Sequence, residues 1–163
     1  MISHIYFDWS GTLAYSGSKP ILEKGTIAQK RATLYPDALF ILQYLHKKGY
    51  KIGIISNTKR DPKLLRKALK EIGVDKFLNG AIVFSNDDDI QTRKPYEEIF
   101  KKAMRKDGAK PQTSLMIGND YEVDVIGAKE VGMQTVFVDR QKPCMLGDEN
   151  VHIHSLRELM YYL

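Results

Sequence analysis

Short runs rich in Ile, Val, Phe and Met recur along the chain, and each gap between them carries a helical pattern. The runs are HIYFDW (4 to 9), YKIGIISN (50 to 57), AIVFSN (81 to 86), SLMIGN (114 to 119) and QTVFVD (134 to 139). A strand with one wet face alternates apolar and polar residues, whereas near-continuous apolar runs read as strands covered on both faces. The intervening helices supply that cover. The pattern predicts an α/β fold: a doubly wound, Rossmann-like parallel sheet of about five strands with helices on both faces.

The helices are expected at 37 to 48, 62 to 72, 96 to 106, 122 to 131 and near 155 to 162. The first carries apolar Leu39, Leu42 and Leu45 and stops at Gly49, a residue suited to ending helices. With 163 residues the chain reads as a single domain, 1 to 163. Its one long irregular stretch, 14 to 34, is expected to be a flap with a short extension.

Hydrophobic residues at 43% and charged residues at 28% fit a soluble globular domain rather than a disordered chain. The lone Cys144 excludes an intramolecular disulfide framework and a multi-cysteine metal site. A strand-like segment begins within a few residues of Met1, leaving no room for a signal peptide, and no apolar run is long enough to span a bilayer. The expectation is a cytoplasmic protein without membrane contact. The net charge of +5 is spread over helices beside acids, as in KLLRKALKEIG, with no basic ribbon interleaved with aromatics. That reads as a solvated face and argues against a nucleic-acid partner.

Ligands of open α/β sheets bind beyond the carboxyl ends of the strands, so the residues ending each strand matter most. The first strand ends at Asp8, the second at Ser56, Asn57 and Thr58, and the fourth at Gly118, Asn119 and Asp120, with Asp124 just beyond. Lys94 follows the third strand and precedes Pro95. Right-handed crossovers bring all of them to one rim. A carboxylate, hydroxyl and amide donors, one lysine and an acidic cluster able to hold a hard divalent cation are the parts needed for phosphoryl transfer.

In these four stretches the chain resembles the haloacid dehalogenase-like hydrolase superfamily. FDWSGTL is similar to the family's first motif, IISNT to its second, RKPYEEIF to its third, and IGNDYEVDVIGAKEVGM to its acidic fourth. VHIHSLREL is similar to the family's usual final strand and helix. The resemblance implies a Mg²⁺-dependent phosphohydrolase in which Asp8 is nucleophile and metal ligand, and the Ser10 backbone carbonyl is a second ligand. Thr12 would support the loop, and Ser56 and Asn57 would bind the phosphoryl group. Lys94 would bridge Asp8 and phosphate, with Asn119, Asp120 and Asp124 as the remaining metal candidates.

Two departures stand out. Phosphatases of the family usually carry a general-acid aspartate where this chain has Ser10, whose hydroxyl neither gives nor takes a proton readily near neutral pH. Asn119 stands where the family usually has a charged metal ligand, which lowers the expected Mg²⁺ affinity unless Asp120 or Asp124 compensates. Together they keep two alternatives open: a scaffold that binds a phosphorylated ligand or protein without turnover, and a 2-haloacid dehalogenase. Neither place where the family inserts its caps holds enough sequence for a full one. An open site is expected, acting on a phosphorylated small molecule or macromolecule, with a homo-oligomer as one way of covering it.

The other polar residues read more plainly. Asp87, Asp88 and Asp89 are expected in a solvated loop, and His4, His152 and His154 in strand or surface roles without ligand spacing. Arg93, Lys59 and Arg60 lie near the rim and are candidates for a substrate's distal anion.

Overall fold

The computed structural model describes residues 1–15, 22–23, 26–27, 33–57, 62–85, 90–140 and 151–163. Thr58, Lys59, Arg60, Asp87, Asp88, Asp89, Cys144 and most of the expected flap lie outside the described residues. The strands are β1 (His4–Phe7), β2 (Leu22–Glu23), β3 (Thr26–Ile27), β4 (Lys51–Ser56), β5 (Ile82–Phe84), β6 (Ser114–Gly118), β7 (Gln134–Val138) and β8 (Val151–Ile153). Six of them form one parallel sheet in the order β5-β4-β1-β6-β7-β8, and β2 and β3 pair separately as an antiparallel ribbon. The order reverses at β1, between β4 and β6, so the crevice beyond Asp8 is a topological switch point.

The helices are α1 (Pro36–Lys47), α2 (Pro62–Glu71), α3 (Glu97–Asp107) and the short α4 (Gly127–Glu130). Both sheet faces are covered, as the apolar runs require. Ile5 and Phe7 of β1 face Ile41, Leu42 and Leu45 of α1, in a core shared with Leu156 and Leu159. Tyr6, between them, points the other way into a second core with Ile99, Phe100 and Met104 of α3. Burying one such side chain contributes about 1.5–3 kcal/mol.

Several details differ from the sequence-based expectation. The sheet has a sixth strand, β8, in the stretch that resembles the family's final strand; its three residues VHI, of which Ile153 is buried and the other two half-buried, are too short a run to stand out by apolar pattern. Leu39 is 40% exposed, because α1 buries Ala38, Ile41, Leu42 and Leu45 and position 39 lies about 100° around the helix from Ala38. The expected helix at 122 to 131 is a π-helical stretch, Tyr121–Ile126, running into α4. The last helix is 3-10, Leu156–Tyr161, begun by a Ser155/Glu158 capping box. Among the described residues no helix is long and apolar enough to cross a membrane.

Asp37, in the first turn of α1, joins three distant parts of the chain. It accepts two bonds from the Arg140 guanidinium, at 3.0 and 3.1 Å, one from the Ser155 hydroxyl and one from the Leu156 N–H, both at 2.9 Å. Burial alone would raise its pKa; the Arg140, Leu156 and Ser155 contacts outweigh that and lower it below 3.8. Its contribution to stability is therefore complete above about pH 3.8 and is lost as the pH falls through the lower folded-state value. Asp37→Asn is expected to cost about 3 kcal/mol, since it leaves the Arg140 cation without its partner. It should also flatten the acid limb of stability against pH, which denaturant melts from neutral pH downward will show.

Candidate active site

The Asp8 loop begins as an extension of the sheet, with the Asp8 N–H donating to the Ile117 carbonyl of β6 at 2.8 Å. The chain then turns back on itself. Leu13 and Ala14 donate to the Trp9 carbonyl at 3.1 and 2.9 Å, and the Gly11 N–H donates to the Ala14 carbonyl at 2.7 Å. Gly11 takes a φ of 90°, and a Cβ there would lie 2.5 Å from the Asn119 amide nitrogen. Backbone conformation and space both demand glycine. Thr12, fully buried, donates from its hydroxyl to Asn119 Oδ1 at 3.0 Å and so ties this loop to the end of β6.

Across from the loop, Lys94 is held by its backbone. Its N–H donates to Asn57 Oδ1 and its carbonyl accepts from Asn57 Nδ2, both at 2.8 Å, fixing it to the end of β4. The ammonium then lies 2.6 Å from Asp8 Oδ1 and 2.5 Å from Asp124 Oδ1. All three side chains are buried. Burial alone would push the Lys94 pKa down, but the charges of Asp8 and Asp124 outweigh it and raise it, so the lysine stays a cation. The Asp124 pKa is raised too, to about 6, chiefly by burial, which works against its charged form; Lys94 pulls it back and Asp8 pushes it further.

Asp124 is placed by the π-helical stretch that follows β6. Its second oxygen accepts from the Asp120 N–H at 3.1 Å, while Asp120 itself is exposed and caps the stretch by accepting from the Val123 N–H at 3.0 Å. A Cβ at Gly118 would lie 2.2 Å from Asp124 Oδ2, so only glycine admits the carboxylate there. Ser56 is buried at the end of β4, its hydroxyl 3.4 Å from the Asn57 carbonyl. Ser10 and Arg93 are both exposed on this rim.

Sequence reasoning missed Arg140, which follows β7. It donates to the Thr12 carbonyl at 2.7 Å and to both Asp37 oxygens, and its guanidinium stacks 3.8 Å above the Tyr35 ring. The Asp8 loop is thereby held from below by an ion pair. No local motif marks Arg140, because its partners lie more than a hundred positions away in the chain.

A profile of the haloacid dehalogenase-like hydrolases matches residues 21–138. The chain belongs to that family. The matched span of this haloacid dehalogenase-like chain includes Ser56, Lys94, Asn119 and Asp124; Asp8 precedes it, and its place at the rim comes from the sheet. The chain is 33% identical over 110 residues to a glyceraldehyde 3-phosphate phosphatase of Methanothermobacter thermautotrophicus, covering 66% of this chain and 45% of that one. It thus spans less than half the length of the curated relatives it matches. Among solved structures, a phosphatase of the same superfamily from Thermococcus onnurineus superposes with a TM-score of 0.70 at 30% identity, over 80% of this chain and 58% of that one. A dehalogenase solved with an intermediate complex also superposes with a TM-score of 0.70, at 28% identity over 82% of this chain and 57% of that one.

The family implies Mg²⁺, and the donor set fits a hard divalent cation. Two buried carboxylates around one buried ammonium leave a formal charge of −1 among these three side chains. Burial already pushes Asp124 toward its protonated form, a cost that a divalent cation removes by restoring an opposite charge. Oxygen donors dominate the rim, as Mg²⁺ requires.

Proposed function

We propose that the chain is a Mg²⁺-dependent phosphohydrolase that works through an aspartyl phosphate on Asp8. The observation that carries this reading is the buried Lys94 ammonium shared between Asp8 and Asp124 at the switch point of the sheet. A merely structural lysine gains little from burial between two acids, whereas a nucleophile facing an anionic substrate needs such a cation beside it. The phosphatase names carried by relatives in the family point the same way.

Lys94 holds Oδ1 of Asp8, which leaves Oδ2 to attack phosphorus. The new Oδ2–P bond forms as the bond to the leaving oxygen breaks, giving an aspartyl phosphate and a leaving group that takes its proton from water. Water then attacks phosphorus, releases phosphate, returns the carboxylate of Asp8 and loses its proton to solvent. Lys94, the Ser56 hydroxyl and the Asn57 backbone bind the phosphoryl oxygens, and Thr12 keeps the loop in register through Asn119. Asp8, the Ser10 carbonyl and Asp124 would hold Mg²⁺, with Asn119 or Asp120 completing the set. When bound, the cation neutralises charge that would otherwise keep an anionic nucleophile from an anionic substrate.

A screen of phosphorylated compounds with and without Mg²⁺, using Asp8→Asn as the blank, tests this reading. Phosphate release that requires Mg²⁺ and Asp8 supports it. The superposed dehalogenase favours a second reading, carbon–halogen hydrolysis, for which halide release from 2-haloacids would survive EDTA. Asn119 offers a finer test. Asn119→Asp keeps the oxygen that Thr12 bonds and adds a charge, so half-activation should shift to lower Mg²⁺. An unchanged activation curve would place Asn119 outside the metal's ligands.

A further inference from the structure

At the opposite end of the β6–β7–β8 side of the sheet from β1, a second cluster of metal-ligating side chains stands apart from the Asp8 and Asp124 pair. One carboxylate oxygen of Asp139, just after β7, and one ring nitrogen each of His152 and His154 lie within 4.8 Å of one another. The backbone builds this grouping. His152 and His154 are two residues apart at the end of β8, so their side chains share one face of the strand. Val138 pairs with Ile153, which sets Asp139 beside His154, and the Asp139 N–H donates to the Ile153 carbonyl at 2.9 Å.

We propose that Asp139, His152 and His154 form a second cation site, for a borderline transition metal such as Zn²⁺, Co²⁺ or Ni²⁺. Two imidazoles and one carboxylate suit these ions and do not suit Mg²⁺, which prefers oxygen donors. The spacing of the ligand atoms suits a shared ion. His152 Nε2 lies 3.9 Å from Asp139 Oδ2. Two ligands of one tetrahedral Zn²⁺, at bond lengths near 2.1 Å, sit roughly 3.4 Å apart.

The second ring nitrogen of His154 is oriented as ligating histidines usually are. Its Nδ1 lies 2.9 Å from the Asp139 carbonyl, an oxygen that can only accept, so Nδ1 carries the hydrogen and Nε2 carries the lone pair. His152 is steadied by ring contacts with Phe137 on one side and His154 on the other, at 5.2 and 5.1 Å between centroids. Three protein ligands with His154 exposed leave a coordination position open to water or to an outside group. The ion would clip the edge strand β8 to the end of β7, next to Arg140 and its bond to the Asp8 loop.

Metal-stripped protein titrated with Co²⁺ in excess Mg²⁺, followed by visible absorption, reads the site without any enzyme assay. One saturable Co²⁺ per chain, with the intense bands of a low-coordinate histidine site and displacement by Zn²⁺, is the expected result. His152→Ala and His154→Gln should each weaken binding at least tenfold, and His4→Ala should leave it unchanged. Because His154 is exposed, its variant keeps the test valid if His152→Ala folds poorly. Absence of a saturable site, or a site that survives His154→Gln at full affinity, overturns the assignment.

Discussion

Asp8→Asn is expected to abolish phosphate release, by roughly 10⁴-fold or more, while the protein melts no lower than the parent. The two halves of that outcome have one cause. The amide keeps the shape of the carboxylate but cannot attack phosphorus, so the first chemical step is lost. It also removes one of two carboxylates competing for one buried ammonium, leaving Lys94 and Asp124 as a balanced pair. Removing one partner of an ordinary buried ion pair costs about 3–5 kcal/mol because a charge is stranded; here the partner that remains is still paired. Thermal melts beside a phosphate-release assay separate the cases. A large fall in melting temperature would mean that Asp8 serves the fold first, and retained turnover would remove it from the reaction.

The second large effect concerns Ser10. If the chain works through an aspartyl phosphate on Asp8, the lack of a carboxylic acid at this position makes the leaving group depart largely unprotonated, so aryl and acyl phosphates should react far faster than alkyl phosphates. The base that would activate water against the aspartyl phosphate is missing as well, so the intermediate should accumulate and give a burst of leaving group before a slow steady state. Ser10 is exposed at the rim two residues after Asp8, so a longer side chain there meets solvent and not the core. Ser10→Asp is therefore expected to raise alkyl phosphate turnover by roughly 10²-fold and to flatten the dependence of rate on leaving-group pKa. Steady-state rates across a series of phosphate esters measure both. If the dependence stays steep with the carboxylate in place, proton supply to the leaving group does not limit the proposed reaction.

Which parts of this were legible in the sequence follows from the range of the interactions involved. The central strands announce themselves because burial on both faces forces continuous apolar runs such as KIGIIS and SLMIG. Strand ends are equally readable, so Asp8, Lys94 and Asp124 could be assigned to one rim before any distance was known. Edge strand β8 was harder, since it is three residues long and carries a histidine in its middle. The π-helical turn at Tyr121–Ile126 has no periodic signature; it is specified by the Asp120 cap and by Asp124 reaching back under Gly118.

Pairings across the chain were illegible. Arg140 and Asp37 meet over 103 positions, and nothing local to either announces the other. The same holds for Asp139 with His152 and His154. Their spacing looked empty along the chain and became a cluster once β7 and β8 were paired. Asn119 is a milder case: its position after β6 suggested a metal ligand, and the structure adds a bond from Thr12 to the same oxygen.

Direct detection of a phosphoryl group on Asp8 tests the central claim. The protein would be mixed with an aryl phosphate and Mg²⁺, quenched in acid during the burst, digested, and analysed by mass spectrometry. The expected result is a peptide containing Asp8 that carries the mass of one phosphoryl group, is labile to hydroxylamine, and is absent from Asp8→Asn. Turnover with no label on Asp8, or with label only on another residue, would contradict it.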